Sequence, residues 1–124
     1  MIRSKLRQLK QAELECLDRY ARFETSLDDL RRCLNEVVEF DFSGEQGQRW
    51  MQTRFTVPEP GISVTRQHLE NALARRREGA ISETQLIEWA TMILHNLAYE
   101  LDPKDEDLLA NWLNDISFDL RPDQ

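Results

Sequence analysis

Glu88 and His95 are the residues whose types and spacing come closest to acid–base chemistry. Seven residues make two turns of an α-helix, so the two side chains would share one face. A carboxylate and an imidazole on one face can act as general acid and base. We favour a half-buried helical histidine and a solvated acid, because no nucleophile or activating group accompanies the pair. An enzyme that uses Glu88 and His95 is therefore the least favoured function, and we predict that the chain is not an enzyme.

A cluster of acids near residue 105 is a second group with possible chemistry. Its members are Asp102, Asp105, Glu106 and Asp107. Converging carboxylates bind hard cations, but such sites use a glycine-turned loop that gathers the oxygens, and none is present here. The dipeptide Asp102-Pro103 is typical of a helix start, where acids in the first turn interact favourably with the helix dipole. We therefore predict a capped helix, with no metal ion and no cofactor.

The remaining chemistry-bearing residues fit structural roles. Cys16 and Cys33 fall among apolar residues at helical spacing, so we interpret them as reduced, buried thiols, although two antiparallel helices would allow a disulfide. No CxxC pair, phosphate-binding glycine loop or G-x-S-x-G sequence occurs. His68, near Glu70, is interpreted as a surface histidine. These patterns favour binding over catalysis.

The net charge of −7 and the pI near 4.8 limit the possible partners. Nucleic-acid binding needs Lys and Arg to neutralise phosphates, and the inner faces of membranes are anionic, so we expect neither partner. The one basic cluster, residues 75–77, is expected to close a helix C-terminus, where cations are favoured, or to pair with the acidic tail.

The acids are concentrated at the C-terminal end of the chain. Residues 99–124 carry eight acids against two bases, which is most of the net charge. An acidic face steers association with a basic protein. We therefore predict a partner-binding face on the last helix, and a basic nuclease-type protein is the partner that we propose for it. Its candidate residues are Asp105, Glu106 and Asp107 in the first turn, and Asp115 and Asp119, which are four residues apart and would line one face.

Length and composition indicate a single globular domain, residues 1–124. Hydrophobic residues make up 40% and charged residues 31% of the chain, which is enough apolar content for one core. The longest apolar-rich stretch, residues 89–97, is far shorter than the ~20 residues that span a membrane. No apolar run follows the basic N-terminus, so we expect no signal peptide and a cytoplasmic location.

Five helices are predicted from the apolar periodicity. Residues 2–23 and, after the N-cap Ser26, residues 27–38 should form an antiparallel hairpin. Three more helices should follow: residues 66–77, ended by Gly79; a helix after the capping box at residues 82–85; and one that begins at Pro103. Trp89 and Trp112 fall on apolar stripes and are expected in the core. The predicted fold is mainly α.

Residues 48–64 do not follow the helical pattern. Residues 50–57 are rich in aromatic and β-branched side chains, residues 58–61 predict a turn, and residues 62–64 alternate again. Either a short β-hairpin or an extended segment over the helices fits this pattern. Trp50 belongs to this part of the chain. It is either buried or an exposed anchor for a partner, since exposed tryptophans are common hot spots of interfaces.

Residues 64–116 resemble small helical immunity-type proteins of bacteria, which are encoded beside toxins. The resemblance rests on VTR at 64–66, LENAL at 69–73, EGAIS at 78–82 and LIEWA at 86–90, followed by the acidic helix. It implies an all-helical inhibitor without catalytic activity. The alternative is an accessory or assembly subunit of a bacterial or phage complex, which forms a homodimer through the long first helix.

Overall fold

The computed structural model describes residues 6–44 and 48–117, and it divides them between five α-helices and six short strands. The helices are α1 Gln11–Ala21, α2 Leu27–Cys33, α3 Arg66–Arg77, α4 Glu83–His95 and α5 Glu106–Ser117, the last after a 3-10 turn at Pro103–Asp105. The strands are β1 Arg7–Gln8, β2 Val38–Asp41, β3 Trp50–Thr53, β4 Phe55–Thr56, β5 Ile62–Val64 and β6 Tyr99–Leu101. Helices hold 53% and strands 17% of these residues, so the prediction of a mainly α fold is only roughly right.

The helix boundaries that the sequence marks by capping residues are confirmed. The Ser26 hydroxyl accepts a hydrogen bond from the Asp29 amide at 3.0 Å and begins α2. Ser82 and Gln85 exchange hydrogen bonds of 3.0 and 2.7 Å at the start of α4. Gly79 follows α3 with a φ of 77°, a conformation that glycine adopts without steric cost.

The long first helix predicted for residues 2–23 is wrong in its N-terminal part. Helix α1 begins at Gln11, and Arg7 and Gln8 form the parallel strand β1, with Arg7 opposite Phe55 and Gln8 opposite Thr56. Glu13 explains the late start, because its carboxylate accepts a 2.7 Å hydrogen bond from the Lys10 amide, as an N-terminal cap does. Residues 2–5 of the predicted helix lie outside the described residues.

The second predicted helix also ends early. The β-hairpin considered for residues 48–64 is not formed within that segment, because its first strand pairs with residues that precede it. Helix α2 ends at Cys33, and β2 pairs antiparallel with β3, so that Val38 is opposite Thr53. Residues 50–53 therefore pair with a strand before them, whereas β5 pairs in parallel with β6. Val38 and Phe40 are buried while Glu39 and Asp41 are exposed, which is the two-residue period of a strand.

The core surrounds α4, whose Trp89 is fully buried as predicted. The Trp89 indole donates a hydrogen bond of 3.1 Å to the Ala21 carbonyl and stacks on Phe23 at 5.4 Å between ring centroids. The Tyr99 hydroxyl donates to the Leu17 carbonyl at 2.6 Å, which fixes β6 to α1. Helix α5 packs against α4. Within the described residues, every helix is too short or too polar to cross a membrane.

Candidate protein-interaction surface

The helical segment that leads into α5 begins at Pro103 as the sequence predicts, but its first three residues form a 3-10 turn and the α-helix itself begins at Glu106. The Asp102 carboxylate accepts a hydrogen bond of 3.1 Å from the Lys104 amide and caps the 3-10 turn, in which Pro103 occupies the first position. The α-helix continues from Glu106, so Asp105, Glu106 and Asp107 stand at its N-terminal end. This local geometry accounts for the acids as a helix start.

One face of α5 is buried against the core and the opposite side is open. Leu109 and Leu113 are fully buried, whereas the side chains of Leu108 and Trp112 are 38% and 46% exposed. The prediction that Trp112 lies in the core is therefore wrong. The apolar positions of α5 span a wider arc than its neighbours cover, and Leu108 and Trp112 occupy the uncovered edge of that arc.

The exposed apolar side chains line up with acids along the helix. At about 100° per residue, Leu108, Trp112 and Asp115 fall within about 60° of one another around the axis. Asp105, the last residue of the 3-10 turn before α5, precedes Leu108 by three residues. We call Asp105, Leu108, Trp112 and Asp115 the α5 strip. Asp115 is exposed and Asp105 is partly so.

The acids of this surface have no basic partner in the described part of the chain. None of Asp105, Glu106, Asp107 and Asp115 forms an ion pair with another described residue. Lys104 is the one base of the sequence between residues 99 and 117. Asp119, the last predicted site residue, lies outside the described residues. The surface around α5 therefore carries acidic charge that the described fold leaves uncompensated.

Trp50 is exposed, which answers the question that the sequence left open. Half of its surface, 50%, is accessible, and it is the register partner of the exposed Asp41 on the outer side of the β2–β3 hairpin. The Asp41 carboxylate accepts hydrogen bonds from the Ser43 hydroxyl at 2.6 Å and the Ser43 amide at 2.9 Å. These bonds lower the pKa of Asp41.

Arg49 fixes the position of Trp50 relative to α5. Its guanidinium donates hydrogen bonds to the carbonyl of Ser117 at 2.6 Å and to the Thr91 hydroxyl at 3.3 Å. Trp50 is thus tethered to the C-terminal end of α5. Asp105, Glu106 and Asp107 stand at the other end of this helix, which is about 18 Å long at 1.5 Å per residue. The predicted residues therefore belong to two ends of α5 and not to one cluster.

Glu88 and His95 do not form a bonded pair. They lie about 10 Å apart along the axis of α4, and His95 is exposed at its last residue. Glu88 is half-buried, and its surroundings include Arg31 and Asp28 of α2. Burial raises the pKa of Glu88, and Arg31 opposes that effect.

His68 is a capping residue of α3 and only half-exposed, so its interpretation as a surface histidine is incomplete. Its Nδ1 accepts a hydrogen bond of 3.0 Å from the Thr65 amide. Burial lowers the pKa of His68, which keeps the ring neutral and able to accept this bond.

The cysteines are free thiols in the structure. Cys16 is buried as expected, but Cys33 is only partly buried and its thiol contacts the Ala12 carbonyl at 3.8 Å. Burial, together with the neighbouring Cys16, raises the pKa of Cys33 to about 11. Such a thiol is a weak nucleophile at neutral pH. Among the described residues, no group of three or more His, Cys, Asp or Glu side chains is arranged to hold a metal ion.

The arginines of residues 75–77 close the last turn of α3, as the sequence predicts. Arg75 donates a hydrogen bond of 3.3 Å to the Asn71 side chain, and its guanidinium lies 5.6 Å from the centre of the Phe23 ring. Within residues 6–44 and 48–117, the ion pairs do not join this cluster to α5. The predicted alternative of pairing with the acidic tail is therefore not found in this part of the chain.

Sequence reasoning missed Leu108 and Arg49 as parts of this surface. The five apolar positions of α5, spread over a wide arc, could have indicated that one neighbouring helix would not cover them all. No local pattern marks Arg49, because its partners Thr91 and Ser117 are more than forty residues away.

The fold and this surface define a small, predominantly helical α+β domain with an acidic face that exposes aromatic side chains. Comparison of the chain with protein-family models, with curated proteins and with solved structures finds no match.

Proposed function

We propose that this chain is a non-enzymatic protein-binding domain that engages a basic partner through α5. The observation that carries the proposal is the exposure of Trp112 beside acids that have no ion-pair partner in the described residues. A half-exposed tryptophan leaves apolar surface in water, and burial of that surface against a partner is favourable. Tryptophan is also among the residues that contribute most to the affinity of interfaces.

The charge of this surface supports a basic protein as the partner. Phosphate groups of nucleic acids and anionic lipid head groups would be repelled by Asp105, Glu106, Asp107 and Asp115. A protein surface rich in Lys and Arg would be attracted, and the attraction would raise the association rate at low ionic strength.

The resemblance of residues 64–116 to immunity-type proteins narrows the proposal. We infer that the chain is an immunity or inhibitor protein of a bacterium, that it acts in the cytoplasm, and that its partner is the basic substrate groove of a nuclease-type toxin. An acidic helix placed in such a groove occupies the site that phosphates would take. The proposed mechanism is therefore steric and electrostatic exclusion, without chemistry by the chain itself.

Capture of the neighbouring gene product tests the proposal. The tagged full chain should retain this product, and the triple variant Asp105→Asn, Glu106→Gln, Asp107→Asn should retain less of it, with a weaker dependence on salt. We expect each lost charge near the interface to change the association rate more than the dissociation rate.

A control variant with the same change in net charge separates local from global electrostatics. Glu24→Gln, Glu59→Gln, Glu78→Gln removes three exposed acids that lie outside α5. It should bind as the parent does. If the α5 variant binds every partner as tightly as the parent, the acidic face has no role in recognition.

A further inference from the structure

We propose that the α5 strip is a helix-packing seam and that its occupant is a basic amphipathic helix of the partner. This inference rests on the proposed function and specifies the shape of the partner. Its basis is the order of the four residues of the strip, their exposure and their charge.

The spacing of the strip is that of a packing seam. Asp105, Leu108, Trp112 and Asp115 follow one another at steps of three, four and three residues. Alternating steps of three and four keep side chains on the line along which two helices pack at a small crossing angle. The two central positions are apolar and exposed by 38% and 46%, and the two outer positions are acids.

Three residues of the strip, Leu108, Trp112 and Asp115, are exposed, and Asp105 is partly buried. Helix α5 packs against α4 and β6, and its fully buried side chains include Leu109 and Leu113. From Asp105 to Asp115 the seam is about 15 Å long, roughly three helical turns. A partner helix of similar length would cover both apolar side chains and reach both acids.

The charges disfavour a second copy of the same strip as the occupant. In a parallel pair of α5 helices, Asp105 would meet Asp105 and Asp115 would meet Asp115. In an antiparallel pair, Asp105 would meet Asp115 twice. Like charges placed opposite each other oppose association, so a symmetric contact through this strip is unfavourable in either direction.

A helix with the complementary order fits the strip. Such a helix carries Lys or Arg ten residues apart and apolar side chains at the third and seventh positions between them. Its apolar residues would pack on Leu108 and Trp112, while its basic residues would pair with Asp105 and Asp115. Arg is favoured over Lys at these positions, because it pairs with a carboxylate through two parallel hydrogen bonds.

Selection from a displayed library of random 16-residue peptides tests this inference without knowledge of the natural partner. The bait is the full chain, and a parallel selection uses the double variant Leu108→Ala, Trp112→Ala, whose substituted side chains are partly exposed and outside the core. We expect the enriched peptides to carry the basic–apolar–apolar–basic order and to gain helical circular dichroism on binding. Affinity for the double variant should fall at least about tenfold, as for a hot-spot residue.

Leu97→Ala is the matched control, because Leu97 is an exposed apolar residue (62%) outside the strip. It should leave peptide affinity within about twofold, since substitutions outside an interface hot spot have small effects. The inference is overturned if no peptide is enriched, if the enriched peptides lack basic residues, or if they bind the double variant as well as the parent.

The capture experiment distinguishes a failure of this inference from a failure of the proposed function. If the partner is lost by the acid-to-amide triple variant but retained by the Leu108→Ala, Trp112→Ala variant, the acidic face binds the partner and the seam does not exist. If both variants retain the partner fully, the proposed function and the seam are both wrong.

Discussion

Most of the described acids between residues 6 and 70 have ion-pair partners, whereas the described acids around α5 do not. Among the described residues, eight ion pairs lie between Arg7 and Glu70. They join acids of α1, α2, β2 and α3, and Glu36 between α2 and β2, to bases. Arg32 pairs with Asp29 within α2, and Arg22, which directly follows α1, pairs with Asp18 of that helix. No such partner is found in the described residues for Asp105 of the 3-10 turn or for Glu106, Asp107 and Asp115 of α5. Paired acids are partly neutralised within the chain, whereas unpaired acids leave a field that an external partner can use.

Glu13 is the most deeply buried of the paired acids. It is a buried carboxylate, and Arg7 donates two hydrogen bonds to it, at 3.0 and 2.8 Å, in addition to the one from the Lys10 amide. Surface pairs of the same region contribute little by comparison, because solvent screens them. Substitutions of Glu13 and of the α5 acids should therefore change the free energy of unfolding by different amounts.

Glu13→Ala should lower the stability of the fold more than any other change proposed here. The change removes three hydrogen bonds and leaves the Arg7 guanidinium and the Lys10 amide without their carboxylate, so we expect a loss of about 3 kcal/mol in the free energy of unfolding. Urea denaturation followed by circular dichroism measures this loss. Glu15→Ala, at an exposed position of the same helix, should change stability by less than about 0.5 kcal/mol. Equal effects of the two changes would show that the buried pair does not stabilise β1 against α1.

Arg49→Ala should have the second largest effect on the free energy of unfolding. The change removes the hydrogen bonds to Ser117 and Thr91, so the last turn of α5 loses a cationic cap and the hairpin loses its tether. We expect a loss of about 1.5–2 kcal/mol, since hydrogen bonds to charged groups contribute more than neutral ones. Faster amide exchange should appear in both β3 and the end of α5.

Arg19→Ala is the control for Arg49, because Arg19 is exposed on α1. Its effect should be below about 0.5 kcal/mol. Unchanged amide exchange at the end of α5 in the Arg49 variant would contradict the tether.

Lowering the pH should reduce the stability of the fold, because Glu13 becomes protonated and loses its charged contact with Arg7. The hydrogen bonds from Arg7, more than any other contact, hold the pKa of Glu13 below its ordinary value. The stabilisation is therefore fully present above the unfolded pKa, near 4.3, and is lost as the pH falls through the lower pKa of the folded state. Urea midpoints measured between pH 7 and pH 3 should fall less steeply in Glu13→Gln than in the parent.

Glu88 should behave in the opposite way. Burial raises its pKa, so ionisation of Glu88 disfavours the folded state, and this destabilisation grows as the pH rises through the unfolded pKa and the higher folded pKa. Glu88→Gln should therefore raise the urea midpoint at pH 7 and leave it nearly unchanged at pH 3. A lower midpoint at pH 7 would mean that the charged form of Glu88 makes a stabilising contact with Arg31.

The smallest effect on stability should come from the α5 strip. Asp115→Asn removes an acid near the C-terminal end of a helix, where negative charge is unfavourable, so we expect a gain of about 0.3 kcal/mol. Thermal unfolding at low salt measures this change. The same variant should bind a basic partner more weakly. A loss of stability would show that Asp115 has a partner within the chain.

The sequence by itself determined the helix starts that rest on local capping, the burial of Trp89 and the accumulation of acids near the C-terminus. Ser26, Ser82 with Gln85, and Asp102 make their bonds with residues two or three positions away, so neighbouring residues are sufficient to predict them. For the same reason the bounds of α3, Arg66–Arg77, agree with the prediction.

Only the tertiary structure decided where strands replace helix and which side chains stay exposed. Arg7 is opposite Phe55, and Ile62 is opposite Tyr99, and these pairings join segments too far apart for any local pattern to indicate. Trp112 fits the apolar periodicity of α5 as well as Leu113 does. Trp112 is nevertheless half-exposed and Leu113 is buried. The difference arises because exposure depends on how wide a face of α5 its neighbours cover, and that width is a property of the packed fold.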